Sequence, residues 1–404
     1  MRRQLVVLMC TFILAVALQG ALTAEKAKEP DAATRKAEAL QIMADLEKCY
    51  VFFDLKGIRK DWEDSKKEWK KRAEKLPSDV ELIDLVSDMI ACLRDGHMGF
   101  SKLNVKMPER EGNFFSGLYF GEIDDKRVCI VNDASTLYGA AKPGAEVVEI
   151  DGKNARKWLD DASAALWKVG GSFSSPQRAA MMVWRWGLMG PKGEAHKITV
   201  LVNKQKSTFA TENKYACRVY PETLPKVADL KETKDRDVRF KDLGDGIAYL
   251  WVRSLSGGTD GAIGEALGGL AGTKGVIVDI SDNGGGGGYK LDSLVPFKGK
   301  VAVLISPRCF SAGETYARDL AKGCGARLFG ATTAGSSSEK AEYELPRGLG
   351  SITYSTRSRS GITRNIEFYG IEPDERVFFD PSDLAKGDST MAKAAVKWLK
   401  GVMK

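Results

Sequence analysis

Ser311 opens the short motif Ser311-Ala312-Gly313-Glu314, set between an apolar run (Val301, Val303, Leu304, Ile305) and a helical stretch from Thr315 to Lys322 that Gly323 and Gly325 stop. A serine at a strand-to-helix turn sits where free backbone N–H groups and the helix dipole favour negative charge. An attacking hydroxyl and its oxyanion need that environment, so the chemistry on offer is acyl transfer. The same residues also read as an ordinary capping box, Ser311 with Glu314 three positions on. For acid–base work near neutral pH the chain offers 2 histidines. His97 lies in Asp95-Gly96-His97-Met98-Gly99, a glycine-flanked loop where a helix stops, and is the natural candidate. His196 precedes the alternating run Ile198–Val202 and reads as a strand-edge histidine. Gly284 to Gly288 follow Ser281-Asp282-Asn283. This run lacks the Lys-Ser/Thr of a Walker loop and the dinucleotide spacing, yet its bare N–H groups can line an oxyanion pocket. A flexible loop is the plain alternative. Cys309 is a rival nucleophile with no histidine near it in sequence.

Stepwise along the chain, the elements that must carry these residues are legible. Residues 25–103 read as helical. Asp31 caps a helix with Leu40, Met43, Leu46 and Tyr50 on its apolar face; Trp62 and Trp69 lie two turns apart on a charged helix; Ser78 and Glu81 box the start of a third. Residues 104–225 read as mainly β, with strands around Val128–Val131 and Val147–Ile150 and an Asp151-Gly152 hairpin signal. Helices are expected at Ala155–Leu166 and Ser175–Leu188. Their Trp158, Trp167, Trp184 and Trp186 are read as core rather than groove. Residues 218–240, with two prolines and many charges, read as a linker or extended connection. From residue 241 strands and helices alternate: Gly246–Val252, a helix over Asp260–Leu270, Val276–Ile280, a helix from Tyr289, the strand from Val301, the Ser311 helix, and Arg327–Gly330. That alternation means a parallel sheet with crossover helices.

The 404 residues suffice for two or three domains. Met1–Ala24 reads as a leader: Arg2 and Arg3, an apolar run from Leu5 to Leu18, then small residues. Uncleaved, it would act as a membrane anchor. Its two arginines and no acid take the formal +7 to +5 on removal. Charges of both signs are interspersed, with no basic block that would suggest nucleic acid. The expected location is extracytoplasmic, periplasmic or secreted. Six cysteines then remain, and on domain grounds Cys49 is paired with Cys92 and Cys309 with Cys324. No cysteine–histidine cluster has metal-ligand spacing.

Taken together the motifs resemble the C-terminal processing peptidases, or tail-specific proteases, and more closely their tricorn-like and retinoid-binding-protein-like branch. The resemblance rests on Asp95-Gly96-His97, on Pro143-Gly144 through Glu149-Ile150-Asp151-Gly152, on Gly246–Arg253, on Asp279-Ile280-Ser281-Asp282-Asn283-Gly284-Gly285-Gly286, on Ser311–Glu314, and on Glu367-Phe368-Tyr369-Gly370-Ile371-Glu372-Pro373-Asp374. It implies a multidomain α+β chain. After the 1–24 signal peptide come an N-terminal helical domain (25–103), a PDZ-like β domain (104–225) and an α/β, ClpP/crotonase-like serine peptidase core (226–404). It implies Ser311 as nucleophile, His97 as general base and Glu367 as the acid that orients it. The N–H groups of Gly285 or Gly286 and of Ala312 form the oxyanion hole, between the helical domain and the core. No cofactor and no metal are implied. The substrate is a polypeptide, with a preference for C-termini suggested by the PDZ-like domain.

Two positions depart from the family pattern. Gly335-Ser336 stands where the serine–lysine members carry Gly-Lys, and Lys340 is misplaced for that role, which leaves the histidine–glutamate arrangement. Ser281 stands where the family usually has arginine, which predicts a looser oxyanion loop. Two other readings share the same residues: a catalytically inactive relative binding peptide or an apolar ligand, and a small-ester hydrolase. Without the resemblance, Glu367 reads as a surface carboxylate on a β-hairpin.

Overall fold

The computed structural model describes residues 30–108, 114–132, 138–216, 224–270 and 272–403. The leader and Cys217 lie outside the described residues. The described chain forms two compact units.

The first unit takes the residues up to Arg110 together with Leu166–Ser175 and Ser338–Ser358. Helix α1 (Ala32–Cys49) starts where Asp31 accepts the N–H of Thr34 at 2.8 Å, α2 spans Arg59–Ala73, and α3 (Asp79–Cys92) starts where Ser78 accepts the N–H of Val80. Their apolar faces meet around Ile42, Leu46, Phe53, Trp62, Leu82, Leu85 and Met89, all buried. The hairpin Ser338–Glu344/Gly350–Ser358, expected in the core, belongs here. It pairs with Gly99–Leu103 and buries Leu345 and Ile352 against the helices.

The second unit holds residues 111–165, 176–337 and 359–404. Its seven-stranded sheet runs in chain order: β1 Lys231–Glu232, β2 Val238–Asp242, β3 Ile247–Val252, β4 Gly275–Asp279, β5 Lys300–Ile305, β6 Arg327–Gly330 and β7 Glu375–Arg376. β1 to β3 pair antiparallel and β3 to β7 parallel. The alternation of strand side chains feeds two apolar layers. Val276, Val278, Val301, Val303 and Ile305 pack on α4 (Thr259–Gly268) and α5 (Ala312–Cys324). Ile277, Ala302, Leu304 and Phe329 pack on the terminal helix Thr390–Val402. A separate antiparallel sheet is built on Phe120–Glu122, Val128–Ile130, Glu146–Ile150, Lys197–Val202 and Gln205–Ala210.

No helix forms from Tyr289. The segment is a set of turns in which Ser293 donates its N–H and hydroxyl to Asp260, and Pro296 and Gly299 follow before β5. Proline and glycine so close together cannot continue a helix.

Candidate active site

β5 delivers the chain to a tight turn that ends at Ser311, and α5 begins at Ala312. Ser311 has φ 55° and ψ −121°, a conformation that L-residues rarely adopt. Such strain costs about 1–3 kcal/mol and persists only where the surroundings impose it. Here the Ser311 N–H donates to Ser336 O at 3.1 Å and to Glu314 Oε2 at 3.2 Å. The turn is pinned from below by Ser306, whose hydroxyl donates to Ser281 O at 2.5 Å and accepts the N–H of Arg308 at 3.0 Å. The capping-box geometry is therefore present, but the serine it caps with is held in strain, half-exposed at the head of a helix.

The glycine run is tied down rather than free. Asn283 is fully buried; its Nδ2 donates to Val252 O at 2.9 Å, its Oδ1 accepts the N–H of Gly285 at 2.8 Å, and its carbonyl accepts the N–H of Phe310 at 3.0 Å. Gly286 bridges to Leu255, which sends its N–H to Gly285 O at 2.9 Å. Gly285 and Gly286 have φ of 98° and 127°. A Cβ on Gly285 would lie 2.9 Å from the Ser311 Cβ, and one on Gly286 would lie 1.9 Å from Leu255 O. Bare backbone is required at both positions. The expectation that Gly285 donates to an oxyanion is corrected here, because its N–H is engaged by Asn283. Among the described residues the N–H groups of Gly286 and Ala312 have no acceptor, the latter because a first helical residue has none within its helix.

Glu314 and Glu367 are both fully buried, so Glu367 is not a surface carboxylate. Glu314 also accepts Thr333 Oγ1 at 2.6 Å and the N–H groups of Gly335 and Ser336 at 2.7 and 2.8 Å. Burial pushes its carboxyl up to about 7 against those hydrogen bonds, and the charge of Glu367 adds to the rise. Glu367 sits in a turn whose next residue, Phe368, has φ 72° and donates its N–H to Gly335 O at 2.7 Å. Ser311 and Glu367 are thus both tethered to the segment Thr333–Ser336.

Two positioning residues escaped sequence reasoning. They are consecutive in the helix Pro176–Trp186. The Gln177 carboxamide donates to Phe368 O and Tyr369 O at 3.2 Å and to Thr333 O at 3.4 Å, which holds the Glu367 turn. The Arg178 guanidinium donates to Pro307 O at 2.9 Å and lies 5.2 Å from the Phe310 ring centre, which holds the Ser311 turn. No sequence signal marked them, since a polar residue at a helix start is usually solvated.

His97 belongs to the first unit, Ser311 and Glu367 to the second. The His97 N–H donates to Asp95 Oδ1 at 2.9 Å. Asp95 is itself anchored: Lys56 Nζ lies 3.5 Å away with both side chains inaccessible, and the Tyr50 hydroxyl is at 3.1 Å. Burial opposes ionisation of Asp95, but Lys56 and then His97 hold its carboxyl below the usual range. The loop at the end of α3 is thereby a fixed platform for the imidazole. His196 is placed differently, at a strand start with Nδ1 2.9 Å from Asp151 Oδ2. Lys340 is exposed on the hairpin of the first unit.

Cys309 is fully buried, and burial, followed by the charge of Glu314, pushes its thiol well above the ordinary value, so it is no nucleophile. The expected pairings are corrected: Cys49, Cys92, Cys129, Cys309 and Cys324 are all free. Cys309 precedes α5 and Cys324 ends it, about 20 Å apart along the axis, beyond the reach of a disulfide. Cys49 faces Tyr354, whereas Cys92 faces Ser65 and Arg94. Among the described residues no group of side chains could hold a metal ion.

Residues 288–377, which include Ser311 and Glu367, match the family model of peptidase family S41. That match supports classification as a serine-type peptidase. No curated protein matches the chain. Among solved structures, mature CPAF complexed with lactacystin is similar at 14% identity and TM-score 0.64, over 91% of this chain and 98% of that one. Mature CPAF is similar at 14% identity and TM-score 0.63, over 92% and 97%. At such identities the likeness is one of fold, a multidomain α+β architecture; nothing in it singles out a ClpP/crotonase-like core. The family match thus covers the stretch that carries Ser311 and Glu367, and the fold likeness extends over nearly the whole chain.

Proposed function

We propose that the chain is an extracytoplasmic serine endopeptidase that cuts polypeptides through an acyl-enzyme on Ser311. The observation that carries this is the strained Ser311 turn, set at a helix N-terminus against Gly285, with the N–H groups of Gly286 and Ala312 free of acceptors among the described residues. In this reading His97 takes the hydroxyl proton and later protonates the leaving amine. Glu367 holds the imidazole in the required tautomer and stabilises its charged form. Gly286 and Ala312 stabilise the tetrahedral oxyanion, and water then frees the acyl group.

The tricorn-like branch is favoured because Ser336, where a lysine dyad would need its base, uses its backbone to bind Ser311 and Glu314. The antiparallel sheet of residues 120–210 supports a PDZ-like role in gathering extended substrate. Its end strand Phe120–Glu122 already receives the Phe379 N–H at Glu122 O. Preference for C-termini and a periplasmic or secreted location complete the proposal, the latter resting on the leader sequence.

The test is labelling by a fluorophosphonate with the modified residue mapped. Modification at Ser311 that vanishes in Ser311→Ala and His97→Ala, together with cleavage of an unfolded protein, supports the proposal. Failure of the folded protein to label would favour an inactive, ligand-binding relative. Labelling with hydrolysis of small esters alone would favour an esterase.

A further inference from the structure

Ser281 lacks the positive charge expected at its position, yet the loop it belongs to is not loose. Ser281 is fully buried, with its N–H and hydroxyl donating to Asp279 Oδ1 at 2.9 and 2.6 Å. The cation comes from elsewhere in the chain. Lys226, 55 positions earlier, donates to Ser281 Oγ at 2.9 Å. Its ammonium also lies 3.4 Å from Asp279 Oδ2 and 3.1 Å from Asp282 Oδ2. The Tyr249 hydroxyl donates to Asp279 Oδ2 at 2.5 Å, and Arg308 Nε lies 2.8 Å from Asp282 Oδ1.

These groups are almost out of water. The Lys226, Asp279 and Asp282 side chains are 11%, 1% and 8% exposed. Burial alone would lower the Lys226 ammonium, but Asp279 and Asp282 more than reverse it, so it remains charged. Burial likewise opposes the Asp282 carboxylate, and Lys226 and Arg308 hold it ionised. Asp279 ends β4. Asp282 adjoins Asn283, which organises the glycine loop, and Arg308 adjoins the Ser311 turn. The ammonium therefore ties the end of a buried strand to both pieces of the site.

We infer that Lys226 is a positioning residue for the oxyanion loop, doing from the segment before β1 what an arginine at position 281 would do from within the loop. The inference rests on the serine-hydrolase reading of Ser311 for its consequence and not for its geometry. Without Lys226, Asp282 keeps Arg308, but buried Asp279 loses the cation that offsets its charge, and the loop between them loosens. Oxyanion contacts are made in the transition state, so the loss falls on kcat and on the rate of acylation, not on KM.

The test compares Lys226→Met, Lys226→Arg and the double variant Lys226→Ser/Ser281→Arg in the full chain. Lys226→Met is expected to slow fluorophosphonate labelling of Ser311 by about 10²-fold or more, the scale of a lost oxyanion donor, with KM for a peptide substrate little changed. Lys226→Arg and the double variant recover most of the rate. Hydrogen exchange of residues 281–287 quickens in Lys226→Met and returns to wild type in the other two, while β4 and β5 stay protected. Unchanged labelling and exchange in Lys226→Met, or a folded double variant that recovers neither, would overturn the inference. If Lys226→Met fails to fold, the other two variants decide it. If wild-type Ser311 does not label, the proposed function fails while exchange still decides the role of Lys226.

Discussion

Glu314 accepts the backbone N–H of Ser311, so an acid in the first turn of α5 holds that helix's N-cap in a strained conformation. The same carboxyl binds Thr333, Gly335 and Ser336, next to the turn that carries Glu367. One buried acid thereby fixes the serine relative to the second carboxylate.

That acid makes stability depend on pH. With a folded value of about 7 against 4.5, Glu314 holds its proton longer in the folded chain. It is neutral in both states at low pH, and the penalty for its burial enters as pH rises from 4.5 and is complete above 7. The size is about 3 kcal/mol. Wild type should therefore lose stability relative to Glu314→Gln between pH 5 and pH 8, about 3 kcal/mol by this arithmetic. Parallel stability curves from urea titrations across that range would reject the assignment.

Backbone strain at Ser311 separates two inactive variants. Glycine adopts positive φ without penalty and alanine does not. Ser311→Gly should be more stable than Ser311→Ala by about 1 kcal/mol, while both lose turnover. Coincident urea midpoints would show that the turn is not strained.

Gly285 and Gly284 offer a contrast within one loop. A Cβ at 285 meets Ser311 and the carbonyl of Phe310, whereas one at 284 meets nothing within 4 Å. Gly285→Ala should cost about 1–3 kcal/mol, as overpacking does, and, by displacing Ser311, slow its labelling by about 10²-fold, the scale of misplacing a reacting group by roughly 1 Å. Gly284→Ala should change neither by much. Equal effects at the two positions would sink the proposed approach of the loop to the serine.

The thiols provide a test of packing. Alkylation after unfolding without reductant, read by mass spectrometry, should modify Cys49, Cys92, Cys129, Cys309 and Cys324. In the folded protein Cys309 should stay unmodified, because burial both shields it and keeps it protonated. Recovery of a crosslinked Cys309–Cys324 peptide would contradict the structure.

Much was legible from the chain itself, because local rules set it. The α1 and α3 caps, the buried strands β4 and β5, and the strand–turn–helix around Ser311 follow from periodicity and capping chemistry that act within a few residues. The candidate serine and histidine could be named from their local context, whereas Glu367 came only with the family resemblance. What the sequence could not supply is the partner of each buried polar group, since a desolvated charge must be satisfied by whatever the fold brings within about 3 Å. Lys226 beneath Ser281, Gln177 and Arg178 against the two turns, and Asn283 engaging Gly285 are choices of that kind. The cysteine pairings failed for the same reason: counting residues is local, and meeting across a helix of 13 residues is not. Tertiary structure alone decided that Glu367 is buried and that the glycine loop is held, because burial and loop closure belong to the assembled chain and not to any stretch of it.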